Sequence, residues 1–484
     1  MNYHSTRSEQ LAASSTHAVL QGIAPDGGLY ICDPAKLDFD WRAALEKPTL
    51  DMAADILHAL LPDFDDMPAL VRASYKDKFP TSDLTPLTPV ADKYVLELYH
   101  GPTSAFKDVA LSVLPHLIGA AARAEGMKGD VVILTATSGD TGKAAMEGFH
   151  DVPGTRIIVF YPYGGVSAVQ QAQMATQTGG NVKVCAVRGN FDDAQTGVKA
   201  IFAHCQGRDL HGAMLSSANS INIGRLAPQV VYYFRAYGDL VKAGRIQLGD
   251  KVDFTVPTGN FGDILAGWFA KCMGLPVGRL VCASNANDVL TDFLRTGVYD
   301  RRRPFHKTIS PSMDILISSN LERLLLELAK GDCSRVRRWM EELRENGRYD
   351  VGAACLKTMR ETFAGGCADD EKTRAAIRSV WRTEGYLMDP HTAVAQSVAA
   401  EYRARTGDTT PLLIVSTASP YKFAGDVAQA VGVSVPADAF AAADALERAT
   451  GVRQPAQLAQ LKTLPVLHRS VCDQAGMGDA ALGK

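Results

Sequence analysis

The feature that most constrains this chain is a unit that recurs from about Val95 onward: a short apolar, β-branched run, a turn of Gly, Ser or Thr, then an amphipathic stretch. Apolar runs without polar alternation predict strands buried on both faces. Helical stretches between them predict parallel pairing, so the unit specifies an α/β architecture. The strands are expected at 131–134, 157–161, 182–187, 252–256, 280–283 and 412–415. The helices are expected at 109–122, 142–149, 168–178, 194–205, 228–243 and 263–273.

At 484 residues the chain exceeds what one hydrophobic core organises. The expected division is an N-terminal α/β domain over 1–92, a segment 93–250 carrying the first loops described below, and a larger segment 251–484. The last of these contains a helical insertion at about 321–388 and an Ala-rich helical tail. The N-terminal part opens on Ala24-Pro-Asp-Gly-Gly-Leu-Tyr30, where Pro25 sets φ and Gly27 and Gly28 permit positive φ. Helical patterns follow at 50–61 and 68–77, and in the insertion at 321–330 and 334–346.

Charge narrows the partners. Lys and Arg total 50 against 53 Asp and Glu, a formal charge of −3, so no global field favours nucleic acid or an anionic membrane, and phosphate recognition must be local. The cluster Arg301 to Arg303 with Lys307 reads as a solvated surface run. Nine cysteines without a C-x-x-C pair argue against a disulfide framework and structural zinc, and eleven histidines show no metal-ligand spacing. A polar start, no apolar stretch of membrane-spanning length and the cysteine usage together predict a cytoplasmic protein.

Four segments sit where a predicted strand ends, the place where α/β sheets bind ligands. In His100-Gly-Pro-Thr-Ser-Ala-Phe-Lys-Asp108, Lys107 stands behind an aromatic residue and before an apolar helix. Desolvation there lowers an ammonium pKa and frees a neutral amine to attack an aldehyde. Thr135-Ala-Thr-Ser-Gly-Asp-Thr-Gly142 crowds small hydroxyls at a strand-to-helix junction, a setting for anion binding. It is not a nucleotide P-loop, because Thr137 stands where Gly is required and Ala144 where Ser or Thr is. Pro257-Thr-Gly-Asn-Phe-Gly-Asp263 has two glycines that let backbone N–H groups close on a phosphate. Ser416-Thr-Ala-Ser-Pro-Tyr-Lys-Phe423 offers hydroxyls at a strand's carboxyl end. To these, Asn219-Ser-Ile-Asn-Ile-Gly-Arg225 adds amides, a hydroxyl and an arginine, the groups that grip phosphate by charge-assisted hydrogen bonds.

Taken in order, these segments resemble the threonine synthase family, the branch with an added N-terminal domain and a long insertion, within the tryptophan-synthase-β-like pyridoxal-phosphate enzymes. The resemblance spans nearly the whole chain. It also rests on Tyr3, Ser5-Thr6-Arg7, Asp26-Gly27-Gly28-Leu29-Tyr30, Ser310-Pro-Ser-Met-Asp314 and Ser319-Asn320. It implies the family's fold type II: two domains with parallel-type sheets flanked by helices, plus the small N-terminal domain, the insertion and the tail.

The same resemblance implies covalent attachment of pyridoxal 5′-phosphate to Lys107, with that lysine as the catalytic base. It places Gly259, Asn260, Phe261 and Gly262 on the cofactor phosphate and Thr417 on the pyridine nitrogen. Thr137 and Ser138 fall at the substrate carboxylate, and Thr141, Asn219, Ser220 and Arg225 at the leaving phosphate. Asp140 stands where many relatives outside this branch carry Asn facing the cofactor's 3′ oxygen. Ser419 stands where His is expected, and neither Ser419 nor His391 receives a role. No metal is implied.

The activity implied is conversion of O-phospho-L-homoserine and water to L-threonine and phosphate, by γ-elimination and β-addition, in a monomer or homodimer. Two alternatives stay open: a phospholyase releasing a keto acid, ammonia and phosphate, and a cofactor-binding homologue without catalysis.

Overall fold

The computed structural model describes residues 3–80, 83–137, 139–205 and 212–482. All six apolar runs form strands: Val131–Ala136, Thr155–Pro162, Val182–Arg188, Val252–Pro257, Val277–Ser284 and Leu412–Ser416. Each predicted helix forms with shifted ends. The largest shift is at the helix expected from Pro228, which spans Ile223–Lys242 because the Asn222 side chain caps it by accepting from Gly224 N at 2.9 Å. Pro228 then falls inside the helix, where it withholds one intrahelical N–H bond, and Arg225 becomes helical.

The strands sort into two main sheets. One has the order Phe363–Cys367, Val277–Ser284, Val252–Pro257, Leu412–Ser416, Lys93–Glu97 and Leu87–Val90. It is parallel except for Leu87–Val90, which folds back antiparallel on Lys93–Glu97. The other is parallel throughout, in the order Ser470–Asp473, Val182–Arg188, Thr155–Pro162, Val131–Ala136 and Met214–Ser216. Residues 93–97 thus pair with strands of the 251–484 segment. Helices Lys107–Ala124 and Ile223–Lys242 pack together with the faces of both sheets in the largest core.

Two strands depart from the helical expectation for the insertion and the tail. Phe363–Cys367 forms a sheet edge between the helices Gly352–Thr362 and Asp370–Glu384. Its Gly365 and Gly366 carry no strand propensity, but they admit neighbouring helices: a Cβ on Gly366 would lie 2.8 Å from Val398 Cγ1. The tail forms the helix Ala439–Thr450 and then contributes Ser470–Asp473 to the far sheet edge. A four-residue strand gains its stability from its partner, so its own periodicity is silent.

The N-terminal part has a small antiparallel sheet of Tyr3–Ser5, Ser8–Ala13 and Tyr30–Ile31, with helices Thr49–Leu60 and Met67–Tyr75. In its turn Gly27 has φ +76°, as expected. Gly28 is required for another reason, close packing, since a Cβ there would sit 2.1 Å from Ser5 Oγ. Arg7 fastens this part to the insertion through a two-point ion pair with Glu322 at 2.8 Å on each arm, and Thr6 Oγ1 donates to the same carboxylate at 2.6 Å. Among the described residues no helix is long and apolar enough to cross a membrane.

Candidate active site

The lysine loop and the Ser416–Phe423 loop leave adjacent parallel strands, and backbone bonds stitch them together. Leu98 N donates to Ser416 O at 2.9 Å, Phe106 N to Thr417 O at 2.9 Å and Ser419 N to Ser104 O at 3.1 Å. Ser104 is left-handed, with φ +58°, a conformation costly for a non-glycine residue. It is held by Gln457 of the tail, whose Nε2 donates to Ser104 Oγ at 2.9 Å and to Gly101 O at 3.1 Å. Asp108 braces the loop from inside: Thr103 N donates to Oδ2 at 2.9 Å and Thr103 Oγ1 to Oδ1 at 2.5 Å. Burial pushes the Asp108 carboxyl up to about 6.

This bracing presents Lys107 as the first residue of the helix Lys107–Ala124. Its Nζ lies 4.7 Å from the Phe106 ring centroid. The residue keeps partial exposure toward the site, while its ammonium is enclosed by protein. Burial therefore lowers its pKa to about 8. Asp140 opposes the shift, and the cations Lys422 and Arg225 add to it. With a pKa there, about a tenth of the amine is neutral at pH 7, against roughly one part in 10³ to 10⁴ for an ordinary lysine. The rate at which apo-protein captures pyridoxal phosphate covalently is accordingly expected to climb as pH rises through about 8 and to level off above it, as read by absorbance in stopped flow. A rate still climbing steeply beyond pH 10 would mean the amine is not desolvated.

The hydroxyl loop follows Val131–Ala136. Thr137 Oγ1 is consumed within the turn, accepting from Gly139 N and Gly142 N at 3.0 Å each. Ser138 lies outside the described residues. Asp140 opens the helix Asp140–Phe149, which has no side-chain cap, and Thr141 follows half-buried. Asp140 Oδ1 is 2.8 Å from Lys422 Nζ and accepts from Gln170 Nε2 at 3.1 Å. Burial alone would raise this carboxyl, but the ammonium groups of Lys422 and Lys107 hold it well below the usual carboxylate range.

The glycine loop follows Val252–Pro257. Gly259 admits close approach: a Cβ there would lie 2.7 Å from Ser312 O. Its own carbonyl accepts from Ser318 Oγ at 2.8 Å, and that of Asn260 accepts from Asn320 N at 3.0 Å. Phe261, buried at φ +62°, then turns the chain into the helix Gly262–Cys272, which has no side-chain cap. A helix start leaves its first N–H groups without intrahelical partners at the positive end of the dipole. Asp263 carries no signal of a role in the sequence. Its Oδ1 accepts from Tyr232 and Tyr233 hydroxyls at 2.7 and 2.9 Å, its Oδ2 is buried with no described partner, and burial pushes its pKa up to about 6.

Arg225 is 3% exposed, and desolvation lowers its pKa. Nη1 donates to Ala218 O at 3.0 Å, while the buried Nε has no partner. Ser220 Oγ is 3.3 Å from Ser319 Oγ, and Asn219 is exposed. Thr417 is buried beside the lysine loop. His391 is placed in a supporting position: Nδ1–H donates to Asp389 Oδ1 at 2.7 Å and Nε2 accepts from Ser312 N at 3.2 Å, bracing the segment against which Gly259 packs. Ser419 caps the turn Pro420–Phe423, accepting from Tyr421 N at 3.3 Å.

The geometry brings Asp140 and Arg225 within electrostatic reach of Lys107, together with Lys422 and Asp263, which no sequence motif assigns a role. Lys422 belongs to a segment singled out for its hydroxyls, but nothing in its spacing points across the fold to Asp140. A desolvated amine, an uncapped helix start with a glycine cradle, and a buried guanidinium with an unused donor fit an aldehyde and two phosphates.

Residues 2–84 match the family described as "Threonine synthase N terminus", 83–360 "Pyridoxal-phosphate dependent enzyme" and 392–471 "Threonine synthase, C-terminal". The chain is 38% identical over 466 residues to threonine synthase from Saccharomyces cerevisiae, covering 89% of each chain. It is 38% identical over 440 residues to Threonine synthase-like 1 from Homo sapiens, spanning 86% of this chain and 58% of that relative. Among solved structures, the pyridoxal-phosphate-bound threonine synthase from Brucella melitensis superposes with a TM-score of 0.89 at 37% identity, covering 100% of this chain and 99% of that one.

Proposed function

Because the chain belongs to the pyridoxal-phosphate-dependent threonine synthase family, we propose that it converts O-phospho-L-homoserine and water to L-threonine and inorganic phosphate. The observation that carries this reading is Arg225: a buried cation with an unused Nε donor, in electrostatic reach of Lys107. Such a group suits a phosphate that leaves next to the amine-bearing end of a small substrate.

When bound, pyridoxal phosphate supplies an electron sink for negative charge formed beside the substrate's amine-bearing carbon. Lys107 is the covalent anchor and, once its amine is released, the base at Cα and then at Cβ. Its lowered proton affinity suits both taking and returning protons near neutral pH. Backbone N–H groups of Gly259, Asn260, Phe261 and Gly262 at the helix start hold the cofactor phosphate. The Thr417 hydroxyl would hold the pyridine nitrogen as a neutral hydrogen-bond partner, supplying a milder electron sink than a carboxylate would. Arg225, Ser220, Asn219 and Thr141 hold the leaving phosphate and orient the chain. Thr137 shapes the loop that receives the substrate carboxylate, with Ser138 assigned there on the resemblance alone.

The test is incubation of the protein and its cofactor with O-phospho-L-homoserine, followed by phosphate and amino acid analysis. Threonine and phosphate in equal amounts are expected. Phosphate with ammonia and a keto acid would replace the proposal with a phospholyase, and absence of any turnover would leave a binding protein.

A further inference from the structure

Position 140 carries a chemical contradiction. The resemblance sets it opposite the cofactor's 3′ oxygen, a phenolate that calls for a hydrogen-bond donor, yet an ionised Asp140 only accepts and would repel an anion. The fold supplies the missing donor from a different loop. Lys422 Nζ lies 2.8 Å from Asp140 Oδ1 and donates to Thr103 O at 3.2 Å, with the two side chains only 1% and 6% exposed. Described partners take two of the three donors of this ammonium. A buried ion pair of this kind stabilises a fold no better than apolar groups of the same volume, so stability alone does not account for it.

Its position is informative. Lys422 lies on the turn Pro420–Phe423, directly after the loop that is stitched to the lysine loop through Phe106, Thr417, Ser104 and Ser419. Asp140 opens the helix after the hydroxyl loop. The pair therefore ties together the three loops that surround Lys107. The other charged groups facing it are Lys107 and Asp108 from the helix Lys107–Ala124 and Lys143 from the helix Asp140–Phe149, while Arg225 from Ile223–Lys242 and Asp263 from Gly262–Cys272 face Lys107.

We infer that Lys422 presents the positive hydrogen-bond donor to the ring oxygen of the bound cofactor, with Asp140 as the positioning residue that holds it there. As a unit the pair is neutral and donating, which is what a single amide at position 140 would be. The inference rests on Lys107 as the cofactor lysine, and the first step of its test isolates that premise: borohydride reduction of the holoenzyme and peptide mass analysis must place the tag on Lys107. A tag elsewhere defeats the functional proposal before Lys422 is in question.

With the tag at Lys107, three variants are compared by cofactor affinity, by the pH midpoint of the visible absorption band, and by melting temperature. Lys422→Gln is expected to bind pyridoxal phosphate at least ~10-fold more weakly. Its midpoint should rise by about one pH unit or more, because an unpaired carboxylate favours the protonated form of the neighbouring nitrogen. Lys422→Arg retains the charge and should stay near the parent midpoint. The double variant Asp140→Asn/Lys422→Gln removes both charges, restores a donor and should bring affinity and midpoint back toward the parent values. A pair that is merely structural would lower the melting temperature of Lys422→Gln and leave affinity and midpoint unmoved, which overturns the inference. Should Lys422→Gln fail to fold, the double variant decides alone: a folded protein that no longer holds the cofactor would also overturn it.

Discussion

Lys107→Ala is expected to abolish phosphate release from O-phospho-L-homoserine and the visible band of the bound cofactor together. The loss from removing a positioned base is itself typically ~10²–10⁴ in rate, and here the proposed covalent anchor goes with it. The variant is expected to remain folded, because the environment of the side chain favours its removal. The ammonium is desolvated, its pKa is lowered to about 8, and it makes no ion pair or hydrogen bond to a described residue. Truncation thus removes an unfavourably buried charge and leaves no described partner unpaired. Apo Lys107→Ala should melt no lower than apo parent protein in calorimetry. Steady-state phosphate release and absorbance spectra then report chemistry alone. Turnover at the parent rate by this variant would remove the lysine from the mechanism.

Arg225→Ala should separate substrate binding from cofactor binding. Its guanidinium gives Ala218 O one hydrogen bond and keeps a buried Nε with no described partner. A ligand phosphate entering there gains a charge-assisted contact in a water-poor setting, and losing such a contact costs about 2–4 kcal/mol, roughly 30- to 10³-fold in kcat/KM. The cofactor band should persist, because the anchors proposed for it lie on Lys107 and the glycine loop. Arg225→Lys should recover little, since an ammonium cannot reproduce the planar fork. Loss of the visible band with Arg225→Ala, measured at saturating pyridoxal phosphate, would move this arginine from the substrate to the cofactor.

The parts of the molecule legible in the chain alone are those governed by local rules. Val252–Pro257 and Leu412–Ser416 are mainly apolar, are buried on every residue and became central strands of a parallel sheet. The loops at their carboxyl ends, and the one after Lys93–Glu97, announced themselves because glycines, small hydroxyls and a lysine behind an aromatic ring have little reason to gather at strand ends for folding. Less visible was what depends on distant neighbours. Phe363–Cys367 is a strand because Val277–Ser284 offers it an open edge, and the Ser470–Asp473 strand exists only against Val182–Arg188. Neither segment has a period of its own to read.

Within the site the same division holds. Residue types and their order along the chain determined which loops would carry chemistry, since reactivity is a property of side chains and loop placement follows from the strand and helix pattern. The tertiary structure decided the electrostatics. It enclosed the Lys107 amine, left Arg225 short of a partner, aimed two tyrosine hydroxyls at Asp263, and joined Asp140 to Lys422 across 282 positions of sequence. Charge interactions act through space and grow as water is excluded. Their partners are therefore set by which loops the packed sheets bring to one place, and no pattern confined to a single loop contains that information.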